Sequence, residues 1–168
     1  MELGSFSLEE VSTMLSKPEA GWTDFQLPGT KLYGLSYLDD IPYEWLDQTI
    51  HGLETGLPFW VKGFMEPGRV LCLVSYVSCH IIVEHGNNID GYQETSPVSM
   101  LDFCKKLYYD LDDNVEDWIR FYCRCGYIDE EDEEVFFEKR RSVLKQNLNK
   151  LKELIENEEK RSPYGRFL

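Results

Sequence analysis

Two acidic clusters, each with an aromatic neighbour, are the residues of this 168-residue sequence whose chemistry best suits recognition of a partner. A carboxylate pairs with Lys or Arg, and a Tyr or Trp ring beside it accepts the same cation over its face. An equally good explanation is that each cluster is a solvated helix start, where carboxylates complement the helix dipole. The candidate partner-binding residues are both clusters together with one strand carboxylate: Asp39, Asp40, Tyr43, Glu44, Glu84, Asp110, Asp112, Asp113, Glu116, Asp117 and Trp118.

Cysteine and histidine supply the residue types of a nucleophilic enzyme, but not a usable arrangement. Neighbouring residues of a strand point to opposite faces, so Cys79 and His80 would be directed apart. No nucleophile elbow or other local catalytic motif surrounds Cys79 or Cys125. We therefore predict no catalytic residues and keep a cysteine-dependent hydrolase as the less favoured alternative.

The sequence also predicts no metal and no cofactor. Cys123 and Cys125 are separated by one residue, whereas structural zinc sites usually have two to four, and no second pair stands at a matching distance. The glycines of GLETGLP lack the Lys and the following helix of a phosphate-binding loop. An odd number of cysteines does not indicate a disulfide framework, and a reducing compartment would keep them as thiols.

The charge balance favours a basic protein as the partner. There are 17 Lys and Arg against 31 Asp and Glu, which gives a net charge of −14. Such a field repels nucleic acid and anionic membranes and attracts cationic proteins, although acidic surfaces also simply keep proteins soluble. The first fifteen residues carry acidic side chains where a secretory signal would be basic, and no run is long enough to span a membrane, so we expect a cytoplasmic protein.

Most of the strand signal lies in residues 30–85. The runs LYGLSYL, LPFWVKGFM, RVLCLVSYV and HIIVEH are short and rich in aromatic or β-branched residues. Between the first two, an apolar stripe from Tyr43 to Leu53 predicts a helix that starts near Asp40 and Pro42 and packs on the sheet. Gly52 and Gly56 are expected to supply its end. The Pro and Gly at 67 and 68 predict a hairpin closed by a type I or type II turn, with RVLCLVSYV as a central strand.

The flanking regions give weaker predictions. A capping pattern at Ser7 predicts a short helix over residues 8–16, followed by a loop in which Trp22 and Phe25 plug the core. Residues 85–91 have the composition of a loop. A further helix is expected to begin at a Ser96 cap, and the run WIRFYCRCGYI fits either a helical turn or a final strand.

Residues 129–161 contain no Gly or Pro and predict one long helix. Its apolar seam could pack on the same domain or form a dimer, and we favour the former because Arg141 occupies a seam position. The expected fold is a single α+β domain: an antiparallel β-sheet flanked by helices over residues 1–128, with the long C-terminal helix, 129–161, packed on it. The seam residues are Phe137, Leu144, Leu148, Leu151 and Ile155.

The order of short elements in residues 32–91 carries a family resemblance. It consists of an L-S-Y strand, an Asp-Asp-Ile-Pro-Tyr turn, a Trp45-Leu46 helix, a strand closing in Met65-Glu66-Pro67 and an apolar strand over 70–77. This order resembles immunity proteins of bacterial contact-dependent growth inhibition systems. In particular, it is similar to the immunity protein that neutralises a ribosomal-RNA-cleaving toxin of the enterobacterial type. The helical extension after Ser96 departs from that pattern.

The resemblance implies an intracellular, non-catalytic α+β protein that plugs the active site or substrate groove of a toxin nuclease. The charge agrees with it, since a nuclease must be basic to hold RNA or DNA. We therefore expect an immunity protein that binds a cognate RNase or DNase toxin domain in a 1:1 complex. A self-associating adaptor or regulatory protein, built on the C-terminal helix, is the alternative from another class.

Overall fold

The computed structural model describes residues 13–85, 88–122 and 130–161, of which residues 88–92, 130 and 131 are described by their backbone alone. In these ranges two antiparallel sheets pack with four helices. This arrangement confirms the α+β class, the antiparallel sheet with flanking helices and the long C-terminal helix. In chain order the elements are β1 (Trp22–Phe25), β2 (Tyr33–Ser36), α1 (Ile41–Thr55), β3 (Phe59–Phe64), β4 (Arg69–Val74), β5 (Cys79–His85), β6 (Asn88–Ser96), α2 (Met100–Asp112), α3 (Val115–Ile119) and α4 (Glu130–Lys160).

The larger sheet has the order β3-β4-β5-β6, and β1 pairs with β2 in a separate two-stranded sheet. Because successive side chains of a strand alternate between faces, β3 buries Phe59 and Val61 while Trp60 and Lys62 face outward. The predicted central strand is β4, which lies between β3 and β5. One face of this sheet therefore lies on the core, and the face that carries Trp60 is the open face.

Helix α1 lies against the inner face and reaches the edge of β3. Pro42 stands in its first turn, and Gly56, with a φ of 68°, ends it by donating its N–H to the carbonyl of Gly52 at 2.8 Å. The indole of Trp45 donates to the Lys62 carbonyl at 2.8 Å, which satisfies an acceptor on the edge strand. Gly52 lies inside the helix and does not end it, because its missing side chain leaves room for the ring of Phe59.

Helices α2 and α4 complete the core. Ser99 caps α2 and accepts from the Asp102 N–H at 3.1 Å. The ring of Phe103 on α2 packs against Trp45 and Phe59, with centroid distances of 6.1 and 5.9 Å. The five residues of the predicted apolar seam on α4 are all buried within the chain.

Three sequence predictions near the first sheet and the hairpin were wrong. Residues 13–16 are not helical, since Leu15 forms an antiparallel β-bridge with Phe25 and the Gln26 N–H donates to the Met14 carbonyl at 3.0 Å. The rest of the predicted helix, residues 8–12, lies outside the described residues. Trp22 and Phe25 belong to β1 and not to a loop. The hairpin between β3 and β4 is present, but a type I or II turn has a trans peptide at its centre, whereas Glu66-Pro67 is cis.

The region after β5 also differs from the prediction. Residues from Asn88 onward form strand β6 and not a loop, while residues 86 and 87 lie outside the described part. Ser96 therefore ends a strand, and the next helix begins after Ser99. Of the ambiguous run WIRFYCRCGYI, Trp118 and Ile119 belong to the short helix α3, and residues 123–128 are not among those described.

Candidate partner-binding site

The first acidic cluster is divided between the interior and the surface. Asp39 is 5% exposed, its Oδ1 lies 3.5 Å from the Lys62 ammonium, and burial raises its pKa. Asp40 accepts two hydrogen bonds from Arg140, and the Tyr43 hydroxyl donates to the Arg140 carbonyl at 2.7 Å. Glu44 is the exposed carboxylate of this cluster, so it is the member that remains available to a partner.

The second cluster contains two residues that belong to the core. Trp118 is fully buried, and its indole donates to the Asp110 carbonyl at 3.0 Å. Asp110 is 8% exposed, and its carboxylate accepts from the backbone N–H groups of Met14 at 2.9 Å and Leu15 at 2.7 Å. Burial raises the pKa of Asp110 to about 6 despite these donors. We therefore remove Asp110 and Trp118, together with the buried Asp39, from the set of surface contacts.

Three further predicted contacts already pair with cations of the same chain. Glu116 accepts from Arg141 at 2.8 and 2.7 Å, and this bonding lowers its pKa. Asp117 lies 3.4 Å from the Lys17 ammonium. Glu84 is paired with Arg69 across strands β4 and β5. Asp112, which lies 3.4 Å from the Tyr108 hydroxyl, and Asp113 are exposed at the end of α2.

A groove of about 580 Å³ lies between α1 and the open face of the larger sheet. Helix α1 forms one wall, and strands β3 and β4 form the other wall and the floor. We call this feature the α1/β3 groove. Its lining residues are Glu44, Trp45, Asp47, Gln48, Trp60, Val61, Lys62 and Leu71.

The electrostatic character of the α1/β3 groove comes from Glu44 and Asp47. They stand one turn apart on α1, and both are exposed. Burial and the nearby carboxylate of Asp39 raise the pKa of Glu44. Lys62 is the one cation in the lining and is paired with Asp39, so the two α1 carboxylates leave the groove with a negative charge.

The groove opens onto an apolar patch on the open face of the sheet. Trp60 is 47% exposed and pairs with Leu73, while the half-buried Leu71 pairs with Ile82 on the next strand. An exposed apolar patch rimmed by polar residues is typical of a protein-binding surface. Sequence reasoning missed Trp60 and Leu71. Neighbouring strand residues such as Phe59 and Trp60 point to opposite faces, but nothing in the sequence shows which of the two faces helices cover.

The described cysteines and histidines do not form a reactive site. Cys79 is buried and its thiol donates to the Val98 carbonyl at 3.3 Å, whereas His80 lies on the open face near Ser78 and Thr95. A hydrogen bond with Cys79, together with burial, raises the pKa of Cys72, and burial raises the pKa of Cys104. Across residues 13–85, 88–122 and 130–161 no three potential ligands come together as a metal site. Cys123 and Cys125 lie outside these ranges.

No helix in the described ranges has the length and apolar character needed to cross a bilayer. Comparison with protein-family models, with curated proteins and with solved structures finds no match to this chain. The residues of the α1/β3 groove and the apolar patch are therefore the basis for proposing a function.

Proposed function

We propose that this chain is a cytoplasmic immunity protein that binds a basic nuclease toxin domain and neutralises it by forming a stoichiometric 1:1 complex. The observation that carries the proposal is the α1/β3 groove, in which the exposed Trp60 of the apolar patch lies beside a wall that carries two carboxylates. An apolar centre with a charged rim is the usual anatomy of a protein interface. The function requires no catalytic group.

Charge supports a nuclease as the class of partner. A nuclease needs a basic groove to hold the phosphate backbone, and that groove is complementary to a chain with a net charge of −14. Complementary potentials accelerate association and select against acidic partners. Fast capture suits a protein that must bind a toxin before the toxin reaches its nucleic-acid substrate.

The resemblance to immunity proteins supports the same surface. It rests on residues 32–91, and this stretch supplies every residue that lines the α1/β3 groove. The helical extension instead packs behind the sheet, where α4 contacts α1 and α2. The part that resembles the family therefore carries the candidate contact surface, and the extension packs on α1, the helix that forms one wall of the groove.

The proposal predicts that the gene directly upstream of this one encodes a secreted toxin, and it is tested with the nuclease domain of that toxin, called here the upstream toxin domain. Titration calorimetry should give a sub-micromolar dissociation constant at a molar ratio of one, and a nuclease assay should show inhibition that is complete at equimolar protein. Absence of sub-micromolar binding, or inhibition by a catalytic amount of this protein, would contradict the proposal.

The self-associating adaptor is less well supported. Its dimer was expected to use the apolar seam of α4, yet all five seam residues are buried against other elements of the same chain. Light scattering distinguishes the two proposals, because an adaptor of this kind would be a dimer that becomes monomeric on truncation after Asp129. We expect the full chain to scatter as a monomer of 19.7 kDa.

A further inference from the structure

We propose that the α1/β3 groove is a receptor for an arginine side chain of the partner, whose guanidinium lies on the ring of Trp60 and pairs with Glu44 and Asp47. This inference rests on the proposed function, because it assumes that the partner is a basic protein. It adds the kind of residue that the partner inserts and the point at which that residue is held.

The same chain shows how it holds one of its own arginines. The guanidinium of Arg140 lies 4.3 Å from the ring centre of Tyr43 and donates two hydrogen bonds to the carboxylate of Asp40. An aromatic face and a carboxylate on the first turn of α1 thus form an arginine site that is already filled. Planarity allows a guanidinium to stack on a ring and bond a carboxylate at once.

The α1/β3 groove presents the same combination of groups without an arginine. Trp60 is 47% exposed, and no cation lies over its ring in the described part of the chain. Glu44 and Asp47 face the groove from the adjoining wall, and within the described ranges neither takes part in an ion pair. A tryptophan face is the strongest of the aromatic acceptors for a cation.

The charges around the groove exclude an anion and favour a cation. Lys62 pairs with Asp39 at 3.5 Å and also lowers the pKa of Glu44, but this effect is smaller than the opposing effect of Asp39, so the α1 wall keeps its negative character. Glu44 has a raised pKa caused by burial and by Asp39, and an incoming cation would relieve the repulsion between the two carboxylates. The groove therefore gains more from a positive ligand than an isolated surface carboxylate would.

Shape favours arginine over lysine. The groove lining is apolar at Trp45, Val61 and Leu71, which suits the methylene stem of a long side chain. A guanidinium is planar and more weakly hydrated than an ammonium, so it loses less on entering a groove with an indole wall. The volume of about 580 Å³ accommodates one such side chain together with the backbone that carries it.

The test uses the intact protein and a capped tri-arginine peptide, with tri-citrulline as a probe of the same shape but without charge. In ¹⁵N–¹H spectra we expect tri-arginine at millimolar concentration to shift the indole signals of Trp60 and Trp45 and to leave that of Trp22 in place. Trp22 is 40% exposed and lies outside the groove, so it serves as an internal control. Tri-citrulline should bind at least about tenfold more weakly.

Variants separate stacking from charge. Trp60→Leu keeps an apolar contact to Leu73 but removes the indole face, and we expect it to weaken tri-arginine binding about tenfold. The double variant Glu44→Gln with Asp47→Asn should weaken it by a similar factor, whereas Trp22→Leu should leave it unchanged. Circular dichroism of each variant verifies that the fold is retained.

A capped tri-lysine peptide, titrated in the same way, tests the preference for a guanidinium. Three results would overturn the inference: tri-arginine does not shift the Trp60 indole signal, tri-citrulline binds as tightly as tri-arginine, or tri-lysine binds as tightly as tri-arginine. The first two remove the site, and the third removes its selectivity for a guanidinium. Failure of the proposed function looks different. If tri-arginine binds the groove but the upstream toxin domain does not bind, the arginine site is confirmed and the immunity function is contradicted. If the toxin domain binds but tri-arginine does not, only the arginine site is contradicted.

Discussion

Arg140 on α4 donates two hydrogen bonds to the carboxylate of Asp40 at the start of α1, with distances of 2.7 and 2.9 Å. Its guanidinium also donates to the carbonyls of Ile119 at 2.8 Å and Phe121 at 3.3 Å, and it lies over the ring of Tyr43. One side chain thus joins α4, α3 and α1. This relationship assigns Asp40 and Tyr43, two predicted partner contacts, to the framework behind the groove.

Replacing Arg140 tests that framework role. Arg140→Lys keeps the charge but cannot form the two-bond pair or reach the two carbonyls together, so we expect the free energy of unfolding to fall by about 2 kcal/mol. Urea denaturation measures this change in the free energy of unfolding. Arg161→Lys is the matched control, because its pair with Glu158 is at a helix end and its change should stay within about 0.5 kcal/mol. An equal change in the free energy of unfolding for the two substitutions would contradict the role of Arg140 in holding α4, α3 and α1 together.

The buried Asp110 predicts a pH dependence of stability. Its folded pKa is about 6, above the ordinary value of about 3.9, so the folded state holds the proton more tightly than the unfolded state does. Its contribution to stability is therefore fully present below about pH 4 and is lost as the pH rises through about 6. The loss amounts to about 2 to 3 kcal/mol.

Asp110→Asn isolates this effect, because its amide oxygen can still accept from Met14 and Leu15 but carries no charge. The stability of the variant relative to the natural protein should rise steadily between about pH 4 and pH 7 in urea unfolding. Asp113→Asn controls for the loss of one carboxylate at an exposed position of the same segment. A difference between the natural protein and Asp110→Asn that does not vary with pH would contradict the buried-charge explanation.

Gly52 tests the close contact between α1 and β3. A methyl group at this position would lie 2.2 Å from a ring carbon of Phe59, so one of the two elements must move. Alanine is favoured over glycine in a helix by about 1 kcal/mol, but overpacking a filled core costs about 1 to 3 kcal/mol, so we expect net destabilisation. Gly34→Ala, whose nearest contact would be 3.8 Å away, should change the melting temperature little. An increase in melting temperature for Gly52→Ala would show that the contact is looser than described.

Association with a basic toxin domain should be fast and strongly dependent on salt. We expect the association rate constant to fall by at least about tenfold between low and high ionic strength, because screening removes long-range steering. Stopped-flow fluorescence measures this rate. Glu44→Gln with Asp47→Asn should lower the rate at low salt and weaken its salt dependence. A rate that is independent of salt would exclude charge complementarity as the basis of recognition.

Sequence reasoning predicted the elements whose signals are local. Helix α1 was predicted because Pro42 starts it, Gly56 ends it and its apolar residues repeat at helical spacing. The seam of α4 was predicted from the same kind of periodicity. Strand β6 was not, because its sequence NIDGYQETS has the polar composition of a loop and its partner strand supplies the pairing.

The candidate site was less predictable because burial depends on distant parts of the chain. The acidic segment that contains Asp110 has a surface composition, but this carboxylate binds backbone groups 95 and 96 residues away in sequence. The buried Trp118 contacts the same residue through a hydrogen bond from its indole to the Asp110 carbonyl. Conversely, Trp60 is an aromatic residue in a strand, as core residues often are, and it is exposed because none of the four described helices covers that face of the sheet. Composition indicates how apolar a residue is, but only the tertiary fold decides which apolar residues stay uncovered.

The central claim is that a basic protein binds the α1/β3 groove, and titration calorimetry of the upstream toxin domain tests it most directly. We predict a 1:1 complex with a sub-micromolar dissociation constant that weakens at least about a hundredfold in the folded triple variant Glu44→Gln, Asp47→Asn and Trp60→Leu. Asp112→Asn with Asp113→Asn, which removes two exposed carboxylates at the end of α2, should bind like the natural protein. Equal affinity of the triple variant and the natural protein would contradict the claim.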